Sequence, residues 1–393
     1  MEKRILNKSE SYFNEHKALH TATEINQQPE MWKRVAEQLL ENKENVNSFM
    51  DEVLAVKDLK VVFTGAGSSA FVGEVMQYIL GEECGIEAKT LHTTDIISSP
   101  DAILFDKPTL LVSYARSGES PESVAAVQFA RKRIKNLYNL IFVCDGTSSL
   151  AKLGRELEKT MVVALPKETC DQGFAMTSSV SSMALATWMV FHYKELNKYT
   201  DIVTNLANEV ETKLNEFALK AEVFAENSYR RLVWLGSGAL QGLARESAVK
   251  SMELSDGYTH ASYDGSAAFR HGPKTVINDE TVTVHFITNR PYTKKYDVDL
   301  NNEINSEKGK NMTVTVGEEG IKELINNSDY YVEYPKKTIC PENSQMDAYI
   351  YGLLFAQMLS MFKSIQLGYT TDNPCPKGDV NRVVKGIIIY NIT

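Results

Sequence analysis

At 393 residues the chain is long enough for two or three domains of ordinary size. Its 43 % hydrophobic and 24 % charged residues exclude wholesale disorder and a fibrous repeat. The 42 Lys and Arg against 51 Asp and Glu leave a formal charge of −9, which excludes a whole-chain basic footprint for nucleic acid; an anion must be held locally, by backbone N–H groups, hydroxyls and a few placed cations.

The N-terminus, MEKRILNKSE, has no apolar run of the kind a signal peptide needs. Residues 1–57 read as a helical segment. Met31–Leu40 carries apolar residues at 31, 32, 35, 36, 39 and 40, with Pro29 just ahead, and Asn42–Val56 repeats the stripe through Val46, Phe49, Met50, Val53 and Leu54. From Leu59 short apolar runs alternate with helical stretches: VVF at 61–63, TLLVS at 109–113, LIFVC at 140–144 and MVVAL at 161–165, with a weaker run at Ala88–Leu91. Continuous apolar runs suit strands buried on both faces, and strand–helix alternation predicts a parallel sheet covered on both sides. That places one α/β domain at 58–200.

A helical connector follows at 201–228, where Leu206, Val210, Leu214 and Phe217 recur at spacings of 4, 4 and 3. Then RLVWLGSG (231–238) echoes KVVFTGAG (60–67), and further strands are expected at 281–287, 312–316 and 330–334 before a helix at about 345–366. This predicts a second α/β domain at 229–369, an internal duplication. The longest apolar stretch, Tyr349–Phe362, is interrupted by Gly352, Gln357 and Ser360 and falls short of a membrane span. The tail, 370–393, holds a turn cluster and a strand-like GIIIY. Five scattered cysteines without a C-x-x-C pair indicate neither a disulfide framework nor a zinc site. The expectation is a cytoplasmic protein with no metal, no membrane partner and no nucleic-acid partner.

Four constellations could carry chemistry. The first is Gly65-Ala66-Gly67-Ser68-Ser69-Ala70 directly after a strand, nearly a dinucleotide fingerprint. Such a turn brings amides and hydroxyls to a helix N-terminus and serves any anion or sugar, or is a plain tight turn. No acidic residue closes the next strand, where Lys89 to His92 stand, which argues against NAD. The second is Arg116-Ser117-Gly118-Glu119-Ser120-Pro121, with Ser120 placed to cap a helix, Pro121 at its first position and Arg116 as a bidentate donor. It suits a phosphate monoester, or is a capped helix beside a surface arginine. Loops at the C-terminal ends of parallel strands open into one crevice, which favours the first of these.

The third is Glu246, Lys250 and Glu253, which share one helical face at spacings of 4 and 3. The face is either solvated or lines a cleft, where a carboxylate beside a lysine is a proton-transfer candidate. Ala244, Ser247, Ala248 and Ser251 lie opposite, small enough to pack closely on a sheet. The fourth is Phe269-Arg270-His271-Gly272-Pro273, a histidine at an element end or simply in a turn; His260 competes from a weaker context.

These runs together resemble the sugar isomerase (SIS) domain family. GAGSSAF, SYARSGESPESV, FAMTSSVSSM, SAVKSMELSDG, AFRHGP and NRVVKGI recur in order over roughly Leu59 to Tyr390. The pattern is similar to the tagatose-6-phosphate ketose/aldose isomerase or galactosamine-6-phosphate deaminase type, and the tandem arrangement resembles the isomerase half of glucosamine-6-phosphate synthase. The implied fold is two tandem doubly wound parallel-sheet domains, flavodoxin-like three-layer αβα, behind the N-terminal helical segment.

The resemblance also implies roles. Glu253 falls on the proton-shuttling glutamate, Lys250 on the cleft lysine, His271 on the ring-opening histidine, Ser69 on the serine of the first turn, and Lys385 on the lysine that meets the open-chain carbonyl. Gly67, Ser68, Ser69, Arg116, Ser117, Gly118 and Ser120 form the sugar-phosphate cradle, with Glu246 in support. Ala115 and Arg116 stand where the synthase has serine and glutamine, and the interval from Glu253 to His271 is two residues longer. No glutaminase stretch precedes residue 59 and residue 2 is Glu rather than a nucleophilic Cys, so ammonia is not expected to come from glutamine.

The implied activity is conversion of galactosamine 6-phosphate, or a similar hexosamine 6-phosphate, to a ketose 6-phosphate and ammonia without a cofactor, in a homodimer or higher homo-oligomer whose histidine reaches the neighbouring site. The alternatives are a plain aldose–ketose isomerase of the tagatose 6-phosphate type and a non-catalytic sugar-phosphate sensor.

Overall fold

The computed structural model describes residues 4–307, 309, 311–336, 339–341, 344–378, 380–384 and 386–392. A short ribbon, β1 (Arg4–Ile5) against β2 (Lys8–Ser9), leads into α1 (Glu10–Glu15) and α2 (Leu19–Asn26). The two apolar stripes form α3 (Gln28–Glu41) and α4 (Lys43–Leu54). Pro29 sits in the first turn of α3, where its missing N–H leaves no bond unmade. The chain divides into two compact units, neither continuous in sequence. The first is built from Gln27–Asp171, Met176–Ala207 and the tail from Gly378; the second takes the N-terminal residues to Asn26, Gln172–Ala175 and Asn208–Lys377. The stretch expected as one N-terminal segment thus contributes α1 and α2 to one unit and α3 and α4 to the other.

The first unit runs β3 (Lys60–Thr64), α5 (Ser68–Cys84), β4 (Ala88–Thr90), α6 (Thr93–Ser98), α7 (Pro100–Ile103), β5 (Thr109–Ala115), α8 (Pro121–Arg133), β6 (Leu137–Val143), α9 (Ser149–Glu156), β7 (Thr160–Ala164) and α10 (Ser178–Phe191). Its sheet is parallel, in the order β4-β3-β5-β6-β7. Every residue of β5 and β6 is buried, as their unbroken apolar runs require. One face packs Val62, Leu111, Ile141 and Val143 on α6, α8 and α9. On the other, Phe63, Tyr114 and Phe142 stack in a row and Phe63 meets Phe191 of α10 edge-on. The register sets Thr64 of β3 beside Ser113 of β5. The loops after these two strands therefore leave the same sheet edge at the point where the strand order reverses, which is where an open α/β sheet forms its crevice.

A 30-residue helix, α11 (Leu196–Ala225), contains the division between the units and covers most of the expected connector. The second unit continues with β8 (Arg231–Leu235), α12 (Ala239–Leu254), β9 (His260–Asp264), β10 (Thr281–Phe286), α13 (Pro291–Ser306), β11 (Met312–Glu318), α14 (Lys322–Asn326), β12 (Tyr330–Tyr334) and α15 (Met346–Gln366). Its parallel sheet, β12-β11-β10-β8-β9, repeats the first topology. Two tandem doubly wound α/β domains result. Apolar residues on all sides of α15 leave it buried through Ile365, as a central helix should be. Among the described residues no helix is long and apolar enough to cross a membrane.

Two elements differ from expectation. Strand β9 was not foreseen: HASYD is short, polar and an edge strand. The tail run GIIIY forms no strand; Ile389 instead packs its side chain against the core of the first unit. An apolar run becomes a strand only where a sheet edge offers it a partner.

Asp171 orders the start of α10. Its carboxylate accepts from the N–H groups of Thr177, Ser178 and Ser179 at 2.8, 3.0 and 3.0 Å, and from the three hydroxyls of the same residues. The carboxylate is fully buried, so these donors are its solvent. Asp171→Asn keeps the shape but turns one acceptor into a donor facing donors. It should lower the unfolding free energy by about 3 kcal/mol, read from urea denaturation, the scale of a lost charge-assisted bond plus a stranded buried donor.

Candidate active site

In the first unit two loops build one cradle. The first follows β3, where Gly65 cannot carry a side chain: a Cβ there would stand 2.6 Å from the Ser69 backbone. Gly67 turns the chain at φ +54°, a conformation open chiefly to glycine, and α5 starts at once with Ser68 and Ser69 buried. The second loop follows β5. Gly118, at φ +64°, lies so close to Ser148 that a Cβ would clash at 2.3 Å. Its carbonyl accepts from Leu150 N–H at 3.0 Å, and the Glu119 carboxylate accepts from Ser149 N–H at 2.9 Å and its hydroxyl at 2.7 Å. The loop is thus pinned to the start of α9.

Ser120 occupies the capping position of α8 with Pro121 next, as expected, but its hydroxyl meets Ser123 Oγ at 2.6 Å rather than a helix N–H. Ser69, Arg116, Ser117, Gly118 and Ser120 line a single cavity of about 100 Å³, together with Tyr114, Glu122, Met176 and the tail residues Arg382, Val383 and Val384. Hydroxyls, a guanidinium and the N-terminus of a 13-residue helix converge there, the donor set that an anion needs.

The second unit repeats the loop and closes it. Gly236 meets Leu240 as Gly65 meets Ser69, with a Cβ only 2.5 Å from a carbonyl oxygen, and Gly238 turns at φ +60°. Here the unit supplies its own anion. The fully buried carboxylate of Asp297 on α13 accepts from Ser237 Oγ and Ser266 Oγ, each at 2.5 Å, and from Thr288 N–H at 3.1 Å. Ser266 Oγ also lies 2.9 Å from His285 Nε2. The donors at the ends of β8, β9 and β10 are satisfied from within.

What the second unit offers instead lies on α12. The spacing of 246, 250 and 253 does bring the three side chains together: Lys250 Nζ is ion-paired with Glu253 and lies 3.7 Å from Glu246 Oε1. The face is not solvated. Glu246 and Lys250 are 3 % and 2 % exposed, whereas Glu253 is 30 % exposed. The small residues on the helix are buried as well, and Ser251 Oγ accepts from Trp234 Nε1 at 3.1 Å. Lys250 is thus enclosed between two carboxylates, of which only the outer one, Glu253, is part-exposed.

His271 ends a single 3-10 turn, Ala268–Arg270, and is exposed; Gly272 at φ +121° and Pro273 follow. The turn is tied to α13 by Arg270 Nε donating to Glu303 at 2.6 Å. His260 is exposed at the start of β9. Lys385 lies outside the described residues. Sequence reasoning passed over Asp171, Asp297 and Arg382. The hydroxyl run Thr177-Ser178-Ser179 was a usable signal for the first; nothing local marked the other two, whose partners are distant in the chain.

The SIS domain family model matches residues 54–193. D-galactosamine-6-phosphate deaminase AgaS of Escherichia coli is 35 % identical over 375 residues, which is 94 % of this chain and 95 % of that protein. A solved structure from Clostridium novyi NT, provisionally assigned as a tagatose-6-phosphate ketose/aldose isomerase, is similar with a TM-score of 0.94 at 38 % identity over 100 % of both chains. Tagatose-6-phosphate ketose/aldose isomerase from Escherichia coli gives a TM-score of 0.86 at 32 % identity over 95 % of this chain and 96 % of that one. Shared sequence over nearly the full length, a shared fold and the duplicated glycine-loop architecture lead to one conclusion: the chain belongs to the sugar isomerase (SIS) family of sugar-phosphate enzymes.

Proposed function

We propose that this enzyme converts galactosamine 6-phosphate, or a closely similar hexosamine 6-phosphate, to a ketose 6-phosphate and ammonia. The observation that carries the reading is the α12 cluster: a buried lysine between two carboxylates, the outer one part-exposed. That arrangement suits a base whose carboxylate is oriented and whose product charge is balanced nearby. The relative named for this deamination, similar over 94 % of the chain, supports it.

In this reading the cradle of Ser69, Arg116, Ser117 and Ser120 takes the 6-phosphate, and binding a group remote from the reacting carbons supplies orientation. His271 moves a proton between ring oxygen and hydroxyl, opening the sugar to its C1 aldehyde. Glu253 removes the proton from C2 and O1 takes one from solvent, giving an enolamine with hydroxyl on C1 and amine on C2. The same carboxylate returns a proton to C1, leaving a C2 imine, and Lys250 offsets the negative charge that builds on oxygen. Water adds to the imine, ammonia leaves, and the C2 ketone remains. With hydroxyl in place of amine at C2, the same steps are an aldose–ketose isomerisation, the second reading that the named isomerase from Escherichia coli favours. A phosphorylated substrate does not cross membranes, which puts the reaction in the cytoplasm. Two copies associate in this reading, each His271 completing its partner's site.

An ammonia-release assay across glucosamine, galactosamine and N-acetylated hexosamine 6-phosphates, with tagatose 6-phosphate tested for isomerisation, separates the two readings. Glu253→Gln should retain ligand binding and lose turnover by about 10²–10⁴-fold; a near-normal rate removes Glu253 from the mechanism. Arg116→Ala should raise KM more than it lowers kcat, and free galactosamine should turn over far more slowly than its 6-phosphate. Equal rates on the two sugars would refute the phosphate cradle. Mixing Glu253→Gln with His271→Asn should regain part of the activity once subunits exchange, and failure despite proven exchange means that each site is built within one chain.

A further inference from the structure

We propose that Arg382, on the C-terminal tail, is the second guanidinium of the anion cradle and donates directly to the substrate phosphate. The proposal rests on the phosphate reading of that cradle and adds a ligand that neither glycine loop supplies. Arg382, Val383 and Val384 line the same cavity as Ser69, Arg116 and Ser117. Two bonds hold the tail there: Arg116 Nη2 donates to the carbonyl of Arg382 at 2.7 Å, and Arg382 Nη2 donates to the carbonyl of Asp171. Asp171 is itself fixed by the donors that start α10. With Nη2 engaged, the Nε–H of Arg382 is buried and has no hydrogen-bond acceptor among the described residues. A buried donor on a charged group is costly to leave without an acceptor, and native proteins keep few that lack a task.

The charge of the lining points the same way. Glu122, in the first turn of α8, is buried and also faces the cavity. As a carboxylate it offsets Arg116, so a cradle with Arg116 alone presents no net charge to a phosphate dianion. Arg382 makes the lining net positive. A guanidinium can hold the Asp171 carbonyl with one nitrogen and present another N–H to a phosphate oxygen; an ammonium offers a single nitrogen for both tasks.

The test is isothermal titration of the full chain with inorganic phosphate and with galactosamine 6-phosphate, paired with steady-state kinetics. Arg382→Ala should weaken both ligands about tenfold or more, the scale of a lost bond to a charged group. KM for the 6-phosphate should rise by a similar factor with little change in kcat. Arg382→Lys should fall between, and carries the test if the alanine variant does not fold. The pH response separates contact from mere tethering of the tail. A phosphate monoester gains its second charge near pH 6, so wild-type binding of the 6-phosphate should tighten between about pH 5.5 and 7.5, and that gain should shrink in both variants. Phosphate affinity within about twofold of wild type in both variants, or an undiminished pH gain, overturns the proposal. Wild-type protein that binds phosphate through Arg382 yet turns over no hexosamine 6-phosphate would sink the functional reading and leave the Arg382 assignment standing.

Discussion

A doubly wound parallel sheet gathers N–H groups and hydroxyls into the crevice where its strand order reverses, and that crevice demands negative charge. The two units of this protein differ in how they stand toward that demand. In the second unit Asp297 supplies a carboxylate from its own α13, and Ser237, Ser266 and Thr288 donate to it. In the first unit the corresponding loops carry Arg116, Ser117 and Ser120 and border an open cavity. One duplicated fold thus holds one crevice filled by its own carboxylate and one that borders a cavity lined by hydroxyls and guanidinium groups. What the second unit carries on the flank of α12 is the enclosed Lys250 between Glu246 and Glu253.

Precision in the first unit comes from a few backbone commitments. Gly65 and Gly118 stand where no side chain fits, which fixes both loops by exclusion. Asp171 adds a positive tie: its carboxylate is spent on α10 while its carbonyl receives Arg382. A single buried residue therefore orders a core helix and the path of the C-terminal tail at the cavity. Loss of such a residue is felt through geometry, since every donor aimed at it must find another partner in a place water does not reach.

Much of the fold was legible because parallel strands buried on both faces write themselves as unbroken apolar runs. TLLVS and LIFVC became β5 and β6, and the echo between KVVFTGAG and RLVWLGSG announced the duplication. The failures have equally physical causes. HASYD became β9 although its pattern is weak, because an edge strand beside β8 is specified by the ladder it joins. GIIIY stayed out of any sheet although its pattern is strong: Ile389 packs on the core of the first unit while Ile388 and Tyr390 stay exposed, and no strand among the described residues pairs with the run. The stripes before residue 57 showed that helices form there but carried no information about which core receives them.

The same division runs through the candidate site. Helical spacing is a local property, so the sequence by itself determined that Glu246, Lys250 and Glu253 share a face and that Ser120 and Pro121 open a helix after a buried strand. Burial is a property of the whole fold, and only the tertiary structure decided that Lys250 is enclosed while Glu253 remains part-exposed. Tertiary structure alone also brought Arg382 to Arg116 across 266 positions and Asp297 to Ser237 across 60, since side chains so far apart meet through the path of the backbone between them and leave no periodic trace in the chain.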